Sequence, residues 1–238
     1  MATMEDVSTT AKTAARPVVG RRTTVALKIA MAVTGIIFIL FVLAHMYGNL
    51  KVFSGQQAFD DYADGLRVLG EPLLPYGGFL WIMRVVLLVS LVIHVYAAWT
   101  LSRRAWAARG RRYVVRKAVQ ATLSSRTMRW GGLALLAFVI FHILQFTTLT
   151  IEIGGSFASP YDRVVAAFSV WYIFAIYAVA MIALGMHVRH GVWSAMQTLG
   201  WAGGNRRPVL DAAGIALALV LVIGFLAPPV AILLGSIN

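Results

Sequence analysis

A chain of 238 residues that is 60% hydrophobic and only 13% charged departs from the roughly 25% charge of soluble domains, and its mean hydropathy is +0.78. That composition excludes a water-soluble globular enzyme and leaves room for an all-α transmembrane bundle of helices about 20 residues long. With no cysteine, disulfides and any zinc or iron–sulfur site held by this chain's own thiolates are excluded. The net charge of +12 does not mark a nucleic-acid partner, because the basic residues cluster beside apolar runs, where they orient a chain in lipid.

In chain order, residues 1–24, "MATMEDVSTTAKTAARPVVGRRTT", read as a flexible cytoplasmic segment with no cleavable signal, since the apolar run that follows is as long as a full span. Residues 25–238 read as one five-helix anchor domain. Spans are expected at Val25–Met46, Phe79–Leu101, Trp130–Leu149, Val164–Val188 and Val209–Leu234. Each is long enough to cross a hydrocarbon core of about 30 Å, where only helices satisfy their own backbone amides. Pro228 and Pro229 are expected to kink or end the fifth.

Between the first two spans, "QQAFDDYADGLRVLG" places Phe59, Tyr62, Leu66 and Leu69 at helical spacing. It predicts a short interfacial helix, stopped by Gly70 and Pro72, that caps one end of the bundle. After the fourth span, "GVWSAMQTLGW" predicts a helical continuation anchored by Trp193 and Trp201 in the headgroup zone.

Charge gives the direction. Seventeen basic residues precede or start the first span, lie between the second and third, or follow the fourth; only Lys51, Arg67 and Arg163 lie in the other connections, beside Asp60, Asp61, Asp64, Glu71, Glu152 and Asp162. The positive-inside rule then puts the N-terminus in the cytoplasm and the C-terminus outside.

Four histidines sit in these spans, one in each of the first four: His45, His94, His142 and His187. Spans one and three run outward and two and four inward, so His45 and His142 sort to the outer half and His94 and His187 to the inner half. His45 stands ~25 Å beyond Lys28 and His142 ~20 Å beyond Arg129; His94 stands ~14 Å above Arg103. His187 lies only ~3 Å from Arg189 by the same rise, which requires the fourth helix to continue past His190. Ionisable groups in hydrocarbon are costly and default to function. Paired imidazoles from facing helices suit the axial ligation of haem, whereas zinc transport would want carboxylates among them. Gly48, Ala97, Ala98, Gly185 and Gly191 are the small residues expected to leave room for a large ring.

Two further residues are candidates beside a cofactor. His190 neighbours Arg189 at the cytoplasmic boundary. Arg84 lies about 9 Å inside the second span, where an unpaired cation costs at least ~2.5 kcal/mol, and is expected to pair with a haem propionate or a quinone-site acid. Quinone carbonyls need hydrogen-bond partners and a proton route. Tyr47, Asn49, Glu71, Arg84 and Gln145 are the outer candidates, and Arg189, His190, Trp193 and Ser194 the inner ones.

The segments "AHMYGNLKVF", "QAFDDYADGLRVLGEPLLPYGGFLWIMRVVLL", "MRWGGLALLAFVIFHILQF" and "ALGMHVRHGVWSAMQTLG", in this order, resemble the single-chain, five-helix di-haem cytochrome b anchor of succinate dehydrogenase and fumarate reductase, respiratory complex II. The resemblance covers positions 25 to 235 or so. It implies two b haems, with His94 and His187 on the one nearer the cytoplasm and His45 and His142 on the farther one. It also implies a succinate-oxidising flavoprotein subunit and an iron–sulfur subunit on the cytoplasmic face of a bacterial-type cell membrane, with electrons passing to a membrane quinone, often menaquinone. No residue of this chain is then catalytic toward succinate itself. The family favours an outer quinone site, with Glu71 as a proton relay.

Three alternatives use the same residues. A His-ligated iron–sulfur centre, in which two imidazoles replace two thiolates, would borrow cysteines from the partner iron–sulfur subunit, with His94, His187 or His190 as candidates near the cytoplasmic face. The functional alternatives are a di-haem anchor of another respiratory dehydrogenase and a non-redox transporter or structural anchor.

Overall fold

The computed structural model describes residues 19–107 and 123–237. Most of the polar segment 1–24 and the basic connection through 108–122 lie outside the described residues. Among the described residues there is no strand, and seven α-helices follow one another: α1 (Val19–Leu50), α2 (Gln56–Val68), α3 (Gly78–Ala107), α4 (Leu123–Phe146), α5 (Pro160–Phe168), α6 (Trp171–Thr198) and α7 (Arg207–Leu233). Five of them, α1, α3, α4, α6 and α7, are long and apolar enough to cross a membrane. The chain is an all-α, multi-pass membrane protein.

One end of the bundle, the loop end, carries α2 and α5. The other, the basic end, is where α1 starts and α6 finishes. α6 and α7 pack closely, α1 lies against both, α3 leans on α1, and α4 leans on α6. α3 and α4 are therefore flanking helices. Their outward faces display Trp81, Leu88, Val92, Trp99, Trp130 and Leu133, which is the expected solution where lipid is the solvent.

The apolar core is concentrated at the loop end. Phe168, Ile173, Tyr177 and Ile232 form one buried cluster and Val52, Phe59 and Tyr161 a second, with Val164, Val165 and Ile237 packed against both. α2 forms over the residues its periodicity predicts and packs against α1, α3 and α5. Asp60 ties it to α5: its carboxylate accepts from Ser159 Oγ at 2.6 Å and from the Tyr161 amide at 3.1 Å.

Two expectations are corrected. The run Val164–Val188 is not one helix. Residues 160–168 form α5, α6 begins only at Trp171, and Ser169 and Val170 separate them. Ser159 caps α5 by accepting from the Asp162 amide, with Pro160 at its start. This is the ordinary chemistry of a helix N-terminus; the spanning helix starts separately, after Val170 turns extended. The second correction concerns Pro228 and Pro229, which do not end the fifth span: they are buried within α7 and the helix runs on to Leu233. So near the end, their missing amides free only the carbonyls of Gly224 and Phe225. α1 starts at Val19, ahead of the span expected from Val25. The predicted extension of the fourth span holds: α6 reaches Thr198.

Small residues set the helix spacing. A Cβ on Gly185 would meet Val222 of α7 at 2.7 Å, and one on Gly48 would meet Tyr62 of α2 at 2.8 Å. Neither glycine makes room for a ring beside a histidine; both let neighbouring helices close in. Gly191 faces open space. We expect Gly185→Leu to destabilise the purified protein by about 1–3 kcal/mol through overpacking, and Gly191→Leu to have little effect, as read by denaturant unfolding in detergent. Equal losses would contradict this packing.

Candidate functional site: two imidazole pairs

The four histidines meet in two pairs. At the loop end, His45 of α1 and His142 of α4 have ring centroids 5.8 Å apart and planes at 81°. Toward the basic end, His94 of α3 and His187 of α6 are 6.2 Å apart with planes at 49°. The pairing is the one expected from depth. Counting along α1 from Thr34, which touches His94, to His45 gives eleven residues, so the two levels are about 16 Å apart.

Each pair spans a gap. Neither α1 with α4 nor α3 with α6 is among the closely packed helix pairs, and the imidazoles reach across from helices that other elements hold in place. Aromatic rings flank the loop-end pair. Phe41 stacks on His45 at 5.4 Å and 13°, Phe138 on His142 at 5.9 Å and 28°, and Phe225 and Phe146 lie against the same two imidazoles. The basic-end pair has Phe38 edge-on to His94 at 5.7 Å and two glycines: a Cβ on Gly35 would lie 3.8 Å from His94 Cε1, and one on Gly132 3.6 Å from His187 Cε1. These glycines, not Gly48 or Gly185, keep the edges of the inner imidazoles uncovered.

Two imidazole ring nitrogens gain hydroxyl partners. Thr34 Oγ1 lies 3.0 Å from His94 Nδ1, and Tyr177 Oη lies 3.0 Å from His142 Nδ1 while donating to Gln145 Oε1 at 2.9 Å. Two buried polar atoms have no hydrogen-bond partner among the described residues: Gln145 Nε2 and His187 Nδ1. An unpartnered buried polar group is expensive, and both of these lie at the histidine pairs.

The donor set fits an iron held between imidazoles. Nitrogen-to-metal bonds of about 2.0 Å on both sides place two ring centroids about 6 Å apart, close to both separations found here. Among the described residues no third His, Asp or Glu joins either pair to make a larger donor cluster. Two imidazoles from separate helices are an axial set a haem could take; a mixed iron–sulfur centre would use the same two donors with thiolates from another chain.

The remaining candidates are dispersed. Arg84 is exposed, with its guanidinium 4.9 Å over the Trp81 ring, so it turns outward instead of toward the imidazoles. Tyr47 is exposed under Lys51 and edge-on to Tyr62. Asn49 donates to the His45 carbonyl at 3.0 Å, and Glu71 is exposed between α2 and α3. Gln145 is 5% exposed and lines a small loop-end pocket with Phe146, Leu149, Phe157 and Arg163. At the basic end Arg189 is exposed, and His190, Trp193 and Ser194 are half-buried on the last turns of α6. Arg207 lies 5.5 Å over the Trp193 ring, and the Ser194 carbonyl accepts from Thr198. Ala97 is fully buried in α3 and Ala98 half-buried.

Sequence reading missed Thr34 and Tyr177, although a signal was present for Thr34. Thr34 stands eleven residues, about three helical turns, before His45 of its own helix and so on the same face, whereas Tyr177 stands ten before His187 and is turned about 80° from it. No family model matches the chain, and neither a curated protein nor a solved structure matches it.

Tyr177 packs edge-on against Phe138 and Phe168, each at 4.8 Å. Tyr177→Ala should therefore cost about 3–5 kcal/mol through the cavity it leaves, measured by unfolding in detergent. A loss below about 1 kcal/mol would show that this cluster does not hold α4 against α6.

Proposed function

We propose that the chain is the membrane anchor and electron-transfer subunit of a succinate:quinone oxidoreductase, passing electrons from a partner iron–sulfur subunit through His-ligated redox iron to a membrane quinone. The observation that carries the reading is the convergence of four intramembrane imidazoles into two pairs at two depths, on the loop-and-helix order that resembles the complex II anchors. Haem, when bound, supplies a one-electron carrier at each depth, held by His94 with His187 and by His45 with His142. The apolar faces of α1, α3, α4 and α6 keep water from the imidazoles, and Gly35 and Gly132 leave the inner rings accessible.

In this reading the basic end faces the cytoplasm, where the flavoprotein and iron–sulfur subunits dock, and the membrane is that of a bacterial-type cell. The Gln145 amide, buried and lacking an acceptor, is suited to a quinone carbonyl at the loop end. Tyr47, Asn49 and Glu71 belong to the same end of the bundle, and menaquinone is the quinone the resemblance favours. Arg189, His190, Trp193 and Ser194 form the alternative inner site. A mixed iron–sulfur centre with His94, His187 or His190 as ligands is the second reading; His187 Nδ1, buried without a partner among the described residues, would be an available donor nitrogen for it.

His94→Ala or His187→Ala in the purified complex is expected to abolish quinone reduction by succinate while reduction of a soluble dye by succinate continues. Intact quinone reduction would overturn the electron-carrier role. The identity of the co-purified subunits separates a succinate-oxidising complex from another dehydrogenase.

A further inference from the structure

Hydroxyl groups fix one imidazole of each pair and leave the other without such an anchor. Thr34 Oγ1 stands 2.8 Å from the carbonyl oxygen of Ala30, one turn back along α1. Two oxygens that close need a proton between them, and only the threonine has one. The same Oγ1 is 3.0 Å from His94 Nδ1. It is also 3.2 Å from the Met31 carbonyl, so its single proton goes to a backbone carbonyl and Thr34 accepts from His94, placing the hydrogen on His94 Nδ1; the Met31 carbonyl is a further hydrogen-bond partner of His94.

The loop-end pair repeats the logic with a phenol. Tyr177 Oη gives its proton to Gln145 Oε1 at 2.9 Å, so across the 3.0 Å to His142 Nδ1 it accepts. A neutral imidazole with hydrogen on Nδ1 carries its lone pair on Nε2. The other members differ: His187 Nδ1 is buried with no partner among the described residues, and the contacts of His45 are with the rings of Phe41, His142 and Phe225.

We propose that Thr34 and Tyr177 are positioning residues that lock His94 and His142 in the Nδ1–H tautomer, so that each pair offers one pre-set Nε2 ligand and one adjustable partner. The anchors are crossed between levels. Thr34 lies on α1, the helix that carries His45, and Tyr177 lies on α6, which carries His187. A shift of either helix along its axis therefore moves a ligand of one pair together with the anchor of the other. Donation from Nδ1–H to oxygen also makes Nε2 a more basic ligand, which favours the oxidised state of a metal bound there. This last consequence rests on the proposed redox role, whereas the tautomer assignment does not.

The test has two parts. In the full chain, isotope-labelled and free of cofactor in detergent, nitrogen NMR should show His94 and His142 as Nδ1–H tautomers. Thr34→Val should move His94 alone toward the Nε2–H form, Tyr177→Phe should move His142 alone, and Thr34→Ser, which keeps the hydroxyl, should restore the native pattern. Finding either histidine as Nε2–H in the unaltered chain, or no tautomer change in Thr34→Val and Tyr177→Phe, overturns the proposal. In the assembled complex, Thr34→Val should raise the midpoint potential of the inner centre and Tyr177→Phe that of the outer one. Native tautomers with no redox centre in the complex would overturn the proposed function and leave the anchoring standing.

Discussion

An imidazole surrounded by hydrocarbon must find something to bond, because its ring nitrogens lose water and an apolar neighbour gives nothing back. In this chain Thr34 and Tyr177 meet that need for His94 and His142, while His187 Nδ1 stays without a partner among the described residues, and the histidines come together in pairs. α1 and α4, and α3 and α6, are held apart as backbones yet reach each other through their imidazoles. The rest of the bundle serves that geometry. α7 packs on α6 and α1 and fixes the centre, while α2 and α5, joined through Asp60 and Ser159, close the loop end around α1 and α6.

Much of this was legible in the sequence for a simple reason. Charge marks where each span begins, helical rise converts residue number into depth, and four histidines then fall into two levels. The interfacial helix α2 could be read because its apolar residues repeat at helical spacing and glycine and proline follow it. The extension of α6 could be read because His187 would otherwise have lain too near the basic boundary.

Other features depended on which helices touch, and a single strand of sequence does not contain that. Gly185 and Gly48 stand beside histidines in the chain but serve Val222 and Tyr62 in space, while Gly35 and Gly132, distant in sequence from the rings they face, adjoin the inner pair. Arg84 looked like a buried cation because its neighbours in sequence are apolar; on the outward face of α3 its partner is Trp81. The break between α5 and α6, where Val170 turns extended ahead of Trp171, was hidden by the continuous apolar run from Val164, whereas Ser159-Pro160-Tyr161-Asp162 carried the capping chemistry that starts α5. Hydrophobicity alone reports that a segment can enter lipid, and says little about where it turns.

The central claim is that these imidazoles hold redox iron, and a reduced-minus-oxidised absorption spectrum of the purified complex, with iron and acid-labile sulfide counted on the same sample, tests it most directly. The account predicts reduced b-type bands with iron in excess of sulfide. An absence of those bands, with no iron or sulfide beyond that of the soluble partner clusters, would contradict it.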